Sequence, residues 1–183
     1  FVEQFIYQPG LENSLSHNIV RSSYEDKRGN VWIGTFDKLN LLNRKKKQFS
    51  QFRLQKEDSL NHSNNLILSI KPFSKASDSI LLVGTETGLC LFNTYSKKII
   101  QYSQNKSVNS ISNSVVKTVC KVDDKDWLGT DLGLNVLDFK DNSFTKYYHE
   151  YNNSNSISNN VIIDLLFDSQ RNLWIATDSG VDK

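Results

Sequence analysis

The feature that most constrains the fold of this chain is a short motif that recurs four times. It reads Trp32-Ile33-Gly34-Thr35 in the first copy and Trp127-Leu128-Gly129-Thr130 in the third. The second and fourth copies vary it, as Leu82-Val83-Gly84-Thr85 and Trp174-Ile175-Ala176-Thr177. The copies are spaced about 45–50 residues apart, and a repeat of that length is typical of solenoids, propellers and other arrays of one small unit.

Each repeat predicts four short strands, which we call A to D. Strand A is rich in β-branched residues, as in Val115–Val119, and strand B carries the motif. Strand C follows a tight turn, as in Leu134–Leu137, and strand D is aromatic, as in Phe144–Tyr147. These residue types favour strands. The repeat therefore predicts an all-β fold, a β-propeller or part of one, with four-stranded antiparallel blades of about 45–50 residues.

Three segments depart from the repeat and carry expectations of their own. The second repeat predicts a long A–B loop from Lys71 to Ser79, because Pro72 interrupts it. Lys38 stands where the other copies have glycine, so a turn with positive φ at that position would carry strain on the order of 1 kcal/mol. The segment Phe1–Tyr7 is similar to a strand D that lacks its own strands A, B and C.

The repeat also predicts domain boundaries. Residues 1–13 form the last strand of a preceding or closing blade, residues 14–58, 59–109 and 110–155 form three blades, and residues 156–183 form an incomplete blade. Either the N-terminal strand completes the last blade or the chain is a fragment of a longer propeller. We favour the fragment, because the last repeat stops within strand C at Lys183. Its open strand edges would pair with the missing part or with a second copy in a homodimer.

Composition narrows the class of protein. The chain has 22 Lys and Arg against 20 Asp and Glu, a net charge of +2. This balance is too even to predict binding to nucleic acid or to an anionic membrane surface. Cys90 and Cys120 occupy different repeat positions, which predicts two small buried side chains, with a single disulfide as the alternative.

No group of residues predicts a catalytic, metal or cofactor site. His17, His62 and His149 lack the spacing of metal ligands and are interpreted as polar loop residues. Asp123, Asp124 and Asp126 could in principle support acid–base chemistry or bind calcium. They fall in the predicted A–B hairpin, where aspartate is a common turn residue, and we interpret them as such.

Basic and aromatic side chains are the remaining candidates for binding. Arg44–Lys47 could contact a phosphate or a sulfated glycan, although a solvated C–D turn is the simpler interpretation. Tyr147 occupies an aromatic position that the repeats share, which predicts a packing role between blades. Tyr148 and Tyr151 lie outside that pattern and are the candidate ligand-binding residues, because they could stack on sugar faces.

The repeat resembles a known family. The stretch Gly29–Thr35 followed by Leu39-Asn40-Leu41, the opening Ser156–Val161 and the aromatic strand D at Phe144–Tyr148 are similar to the two-component regulator propeller repeat. That repeat fills the sensor region of hybrid two-component systems in glycan-degrading gut anaerobes. The resemblance covers essentially the whole chain.

This resemblance implies a non-catalytic sensor region, located in the periplasm as part of an inner-membrane protein. It implies further propeller and β-sandwich domains in the same parent chain, and signalling to a histidine kinase. The implied ligand is an oligosaccharide from polysaccharide breakdown, with no cofactor and no direct nucleic-acid binding by this region. Two alternatives stay open, a protein–protein interaction scaffold and a propeller glycosidase or lyase.

Overall fold

The structure, a computed structural model, describes residues 2–55, 65–74 and 77–183. In these ranges, fifteen strands form four antiparallel sheets, and the strands of each sheet lie in chain order. Sheets 1 to 3 have four strands and sheet 4 has three. The all-β prediction and the four-stranded blade are therefore confirmed. His62 and Phe1 lie outside the described residues.

The strands follow the predicted order A to D in each sheet. Sheet 1 contains β1 (Val20–Glu25), β2 (Val31–Thr35), β3 (Leu39–Asn43) and β4 (Gln48–Phe52). Sheet 2 contains β5 (Ile67–Ser74), β6 (Ser77–Thr85), β7 (Gly88–Asn93) and β8 (Ile99–Tyr102). Sheet 3 contains β9 (Val116–Val122), β10 (Lys125–Thr130), β11 (Gly133–Asp138) and β12 (Ser143–Tyr147). Sheet 4 contains β13 (Ile162–Phe167), β14 (Leu173–Thr177) and β15 (Gly180–Asp182).

The chain divides into two compact units, which are described separately. The first unit is Phe1–Glu86 with Cys90–Ile100, and the second is Thr87–Leu89 with Gln101–Lys183. In the first unit, β5 packs against β1 and β2. In the second, β13 packs against β9 and β10. Each unit thus uses the same packing, in which strand A of one sheet covers strands A and B of the sheet before it.

The glycine of the repeated motif makes this close packing possible. A Cβ atom added to Gly34 would lie 2.5 Å from Cγ2 of Ile67, at the start of β5. A Cβ added to Gly129 would lie 2.6 Å from Cγ2 of Ile162, at the start of β13. Real Cβ contacts are essentially never this short, so the motif needs glycine for space wherever an isoleucine packs on it.

Buried polar side chains connect strands B and C to the loop before strand A. In sheet 3, the Ser112 amide donates to Asn135 Oδ1 (2.8 Å), and the Ser112 and Thr130 hydroxyls lie 3.1 Å apart. Sheet 1 repeats the arrangement with Ser16, Thr35 and Asn40, and sheet 4 with Ser158, Thr177 and Asp182. Because buried polar groups need partners, this network explains the serine, threonine and asparagine positions of the repeat.

Two predicted segments differ from the structure. The prediction of a long loop from Lys71 to Ser79 is wrong. Strand β5 continues to Ser74 and β6 begins at Ser77, with Pro72 paired to Leu81. A proline is tolerated there because β5 is an edge strand. On its outer side no neighbouring strand of the sheet needs a backbone N–H donor. Lys38 does not have positive φ, so the predicted strain is absent. The turn closes instead with a hydrogen bond from the Thr35 amide to the Lys38 carbonyl oxygen (3.2 Å).

The predicted strand at Phe1–Tyr7 is not formed within residues 2–7. The Tyr7 amide donates to Asn18 Oδ1 at 2.7 Å, as the His149 amide after β12 donates to Asn160 Oδ1 at 2.7 Å. The segment therefore enters the following loop as a strand D does. It forms no strand because the residues that the structure describes offer it no strand C as a ladder partner.

The prediction of a small buried side chain is confirmed for Cys90, while Cys120 is half-buried, and neither cysteine is in a disulfide. Burial raises the pKa of the Cys90 thiol to about 12. Among the residues that the structure describes, no helix has the length and apolar character needed to cross a membrane.

Candidate functional site

The second unit contains an open cleft of about 610 Å³ that is lined by three aromatic rings. These rings belong to Trp127, Tyr147 and Tyr148, and we call this feature the aromatic cleft. The Trp127 and Tyr147 rings are stacked, with their centroids 5.8 Å apart and an interplanar angle of 8°. The sequence-based candidate Tyr148 therefore lies beside a larger aromatic surface.

Strand register explains why Trp127 and Tyr147 share one face of sheet 3. Trp127 on β10 pairs with Val136 on β11, and Val136 pairs with Thr145 on β12. Tyr147 follows Thr145 by two residues and so points to the same side of the sheet. The packing role predicted for Tyr147 is thus found within its own sheet, although the side chain remains nearly half exposed.

The glycine turn between β10 and β11 positions the ring of Tyr148. Gly133 has a φ of 95°, and a Cβ added to it would lie 2.9 Å from Cδ1 of Tyr148. The same Cβ would lie 2.6 Å from the Tyr147 carbonyl oxygen. Glycine is therefore required both for the backbone conformation and for the approach of the Tyr148 ring.

The loop from residue 148 to residue 161 carries both candidate tyrosines and is held by internal hydrogen bonds. His149 Nδ1 lies 2.8 Å from the Ile157 carbonyl oxygen, and the Glu150 amide donates to Ser156 Oγ at 3.0 Å. Tyr151 lies beyond them at the rim of a neighbouring cavity of about 470 Å³, with its side chain almost fully exposed. The structure thus places Tyr148 in the aromatic cleft and Tyr151 outside it.

The polar lining of the aromatic cleft has balanced charge. Glu150 and Asp182 contribute carboxylates, and Lys146 and Lys183 contribute ammonium groups. Asn155 and the adjacent loop residues add amide and hydroxyl groups, and Asn153 Nδ2 donates to Glu150 Oε2 at 2.8 Å. Aromatic faces beside many hydrogen-bonding groups with little net charge suit a neutral, polyhydroxylated ligand.

Asp126 was predicted to be a turn residue, and this prediction is wrong. It lies on β10, fully buried, with Lys121 Nζ 2.7 Å from its Oδ2. Burial raises its pKa, and the hydrogen bond and charge of Lys121 oppose that rise. Asp123 does lie in the turn, with a φ of 52°, and pairs with Arg171 at 3.0 Å.

The other charged and histidine candidates have structural contacts in the described residues. Arg44 pairs with Glu25 at 2.9 Å, and Lys47 pairs with Glu3 at 2.5 Å, within the predicted C–D turn. His17 accepts a hydrogen bond from the Ile19 amide at 3.0 Å. In residues 2–55, 65–74 and 77–183, no group of three or more His, Cys, Asp or Glu side chains is placed to bind a metal ion.

Sequence reasoning did not identify Trp127 or Lys146 as parts of a site. Trp127 is part of the repeated motif, which predicts a buried ring between two blades. The neighbouring residues in the sequence do not distinguish it from Trp32. The signal that was available is the second tyrosine in Tyr147-Tyr148, since Tyr147 pairs with Leu134, which follows the glycine of the turn.

Comparisons with known proteins agree with this architecture. The family model described as two component regulator propeller matches residues 14–37 and 156–179. No curated protein has a sequence match to this chain. The described sheets 1 and 4 begin inside the two matched segments.

Solved structures of low sequence identity share the fold. The extracellular domain of BT4673 from B. thetaiotaomicron, described as a hybrid two-component system, is 23% identical with a TM-score of 0.77. That match covers 92% of this chain and 22% of BT4673, so this chain spans less than a quarter of its relative. Virginiamycin B lyase from Staphylococcus aureus is 12% identical with a TM-score of 0.62, covering 94% of this chain and 57% of the lyase.

A third similar structure is the WD40 β-propeller domain of Doa1, at 9% identity and a TM-score of 0.63. It covers 91% of this chain and 50% of the Doa1 chain. Since these three proteins are described differently and each is less than 25% identical to this chain, the likenesses show the fold alone. Residues 14–37 and 156–179 match the two component regulator propeller model, and the chain has the fold of a β-propeller or part of one.

Proposed function

We propose that this chain is part of an extracytoplasmic sensor propeller that binds oligosaccharides from polysaccharide breakdown and signals to a histidine kinase. The regulator propeller repeats support the sensor role. The fold shared with extracellular domains of hybrid two-component systems from B. thetaiotaomicron supports a location outside the cytoplasm. The location that we propose is the periplasm, with attachment to the inner membrane. Further propeller and β-sandwich domains of the same parent chain would connect the sensor to the kinase.

The aromatic cleft is the observation that carries the ligand proposal. Its stacked rings, Trp127 and Tyr147, offer a flat apolar surface, and Tyr148 adds a third ring held against Gly133. Sugars present apolar C–H faces between rims of hydroxyl groups, so a ring platform beside amides and charged groups matches their two kinds of surface. Tyr151 would contact a longer ligand that extends past the loop.

The position of the cleft suggests how binding could be transmitted. Its lining includes Trp127 and Leu134 from sheet 3 and Ile175 and Asp182 from sheet 4. A ligand that contacts both sheets would favour one arrangement of them over others. The ligand can shift the equilibrium between two arrangements only by the difference between its affinities for them. Contacts that the ligand makes with both sheets at once therefore determine the size of the shift.

The test is a thermal-shift and calorimetry screen of this chain and its longer parent against a panel of oligosaccharides. A specific ligand at about 100 times its dissociation constant adds roughly 2.7 kcal/mol of stability, which is a visible shift. We expect one glycan class to shift the wild type. Replacing Tyr148 by Ala should weaken its binding about tenfold, since a ring contact is worth roughly 0.5–1.5 kcal/mol.

Tyr95→Ala is the matched control, because Tyr95 is an exposed tyrosine of the first unit and outside the cleft. It should bind the glycan as the wild type does. Absence of any shift across the panel in both proteins would overturn the glycan proposal and favour a protein-interaction scaffold. Turnover of a glycan by the chain would favour the enzyme alternative instead.

A further inference from the structure

Two turns at one end of sheet 1 border a cavity of about 340 Å³ that is lined by three cationic side chains. Strand register brings the turns together, because Val31 at the start of β2 pairs with Leu42 near the end of β3. The A–B turn before Val31 contributes Arg28, and the C–D turn after Leu42 contributes Arg44 and Lys45. We call this feature the basic cavity. Its volume is that of roughly ten water molecules at about 30 Å³ each, so a small anionic group fits inside.

The guanidinium group of Arg28 is held in place and still has free donors. Its Nη2 atom donates to Asp26 Oδ2 and to Thr94 Oγ1, both at 3.2 Å, and both of these partners are buried. A guanidinium has five N–H groups, of which the described residues engage the two on Nη2. The other three are available to a ligand, and a side chain that is already fixed loses little freedom when it binds one.

Further donors around the basic cavity have no partner in the part of the chain that the structure describes. They are the Lys45 ammonium group and Nδ2 of Asn43, whose Oδ1 accepts a hydrogen bond from the Lys46 amide at 3.0 Å. None of the described residues that line the cavity is an Asp or Glu. Because a negatively charged group with several acceptor oxygens satisfies such donors, the lining favours an anion.

Two carboxylates lie near the basic cavity and leave it positively charged. Asp26 is fully buried and already accepts hydrogen bonds from the Asn30 and Arg28 side chains. Glu25 pairs with Arg44 at 2.9 Å, and about half of each of these two side chains is exposed. Exposed ion pairs contribute little, because water screens them. An anion inside the cavity therefore competes for Arg44 with a weak pair.

The same two turns of sheet 3 carry the opposite charge, so the basic cavity is not a general property of the repeat. The A–B turn there contains Asp123 and Asp124, and the C–D turn contains Lys140 and Asp141. Lys140 pairs with Asp124 at 3.2 Å. The cations around the cavity are thus a specific feature of sheet 1.

We propose that the basic cavity binds a sulfate or phosphate group carried by a small organic monoester. Such a group has oxygens for Arg28, Arg44 and Lys45 at once, and two of its oxygens match the planar fork of a guanidinium. The inference goes beyond the proposed function, because it concerns the first unit and requires no ligand in the aromatic cleft.

The test is isothermal titration calorimetry of the whole chain with glucose 6-sulfate, glucose 6-phosphate, inorganic sulfate and inorganic phosphate. All titrations contain sodium chloride at about 0.15 M, which screens interactions between exposed charges. Glucose alone is the control for contacts with the sugar. We expect at least one of the two esters to bind while glucose does not, and the ester that binds more tightly identifies the group.

Variants of exposed residues change the affinity in opposite directions. Arg44→Gln should weaken binding of the ester about tenfold, because it removes a charged hydrogen-bond donor. Lys45→Gln should weaken it about fivefold for the same reason. Glu25→Gln should tighten it about threefold, because it releases Arg44 from its ion pair.

The matched controls make the same changes of charge outside the cavity. Lys46→Gln is the control for Lys45→Gln, because Lys46 is the next residue and does not line the cavity. Glu3→Gln is the control for Glu25→Gln, because it releases Lys47, which pairs with Glu3 at 2.5 Å away from the cavity. Each control should change the affinity less than about twofold.

Three results would overturn the proposal. The first is that neither ester binds, and the second is that only the inorganic ions do. The third is that the cavity variants and their controls change the affinity equally, because binding would then depend on net charge alone. All of the substituted side chains are exposed, and circular dichroism melting curves verify that every variant is folded.

Discussion

Two tryptophans of the same motif have opposite surroundings in the two units. Trp32 is buried under the rings of Phe52 and Phe92, whose centroids lie 5.9 and 5.7 Å from its own. Lys97 closes this site, with its Nζ atom 4.9 Å from the Phe52 ring centroid and 5.7 Å from that of Trp32. Trp127 is half-buried: Tyr147 stacks on it, the core of the second unit packs against it, and it also lines the aromatic cleft.

The difference comes from the neighbouring sheet and not from the motif. Phe92 and Lys97 belong to strand C and the C–D turn of sheet 2. Around Trp127, sheet 4 contributes Ile175 and Asp182 instead. The motif thus decides where the ring is placed, and the following sheet decides whether that ring is part of a core or of a surface.

The largest expected effect compares the two tryptophans directly. Trp32→Ala should lower the free energy of unfolding by about 3–5 kcal/mol, because a fully buried ring leaves a cavity. Trp127→Ala should cost roughly half as much, since one side of the ring already faces the cleft. Urea denaturation followed by circular dichroism measures both. Equal losses would contradict the contrast between a closed and an open site.

A second comparison concerns the aspartates that bind these indoles. Asp26 Oδ2 accepts a hydrogen bond from Trp32 Nε1 at 3.1 Å, and Asp168 Oδ2 accepts one from Trp174 Nε1 at 2.8 Å. Asp26 is buried, so Asp26→Ala should cost about 1–3 kcal/mol by leaving buried donors unpaired. Asp168→Ala should cost less, because water can reach the donors that it leaves.

These aspartates also predict the response to acid. Hydrogen bonds from the Asn172 amide and Trp174 lower the pKa of Asp168 to about 2, below its usual 3.8. Burial raises the pKa of Asp26, but hydrogen bonds from Asn30 and Trp32 bring it below its usual value. Each contribution is complete above about pH 5, begins to fall near the unfolded-state pKa of 3.8, and is lost as the pH falls through the folded-state pKa. The pH dependence of unfolding between about pH 5 and 2 should flatten in Asp168→Ala.

The smallest expected effect concerns the lysine that closes the Trp32 site. Burial, followed by the charge of Arg28, lowers the pKa of Lys97, so the unfolded chain binds more protons just below pH 10.5. Stability should therefore rise with pH in that window, and Lys97→Met should remove the rise while keeping the packed stem. We expect a change of about 1 kcal/mol or less at neutral pH. The control is Lys98→Met, because Lys98 is the next residue and has no ring contact with the Trp32 site among those recorded for Lys97. An unchanged slope in Lys97→Met would show that Lys97 is not desolvated.

Local sequence predicted much of the fold but little of the site. The spacing of the motif, the β-branched runs and the serine and asparagine positions predicted strands A to D, because each depends on neighbours within one repeat. The Lys71–Ser79 loop was predicted wrongly because Pro72 signals a break only if its strand is interior, and β5 lies at an edge. Asp126 was assigned to the hairpin, but the turn is shorter than predicted and β10 already begins at Lys125.

The candidate tyrosines illustrate the same limit. Tyr148 was identified because it breaks the aromatic pattern of strand D, and the structure places it in the aromatic cleft. Tyr151 was identified for the same reason, but it lies outside that cleft. Whether either tyrosine binds a ligand stays a prediction.

The sequence by itself determined the repeat, the order of strands in each sheet and the need for glycine at the packed motif. These features depend on side-chain periodicity and on residue size, which a single chain states directly. Only the tertiary structure decided which faces are covered, because burial depends on the sheet that packs opposite. For that reason Trp32 and Trp127 share one motif but differ in exposure.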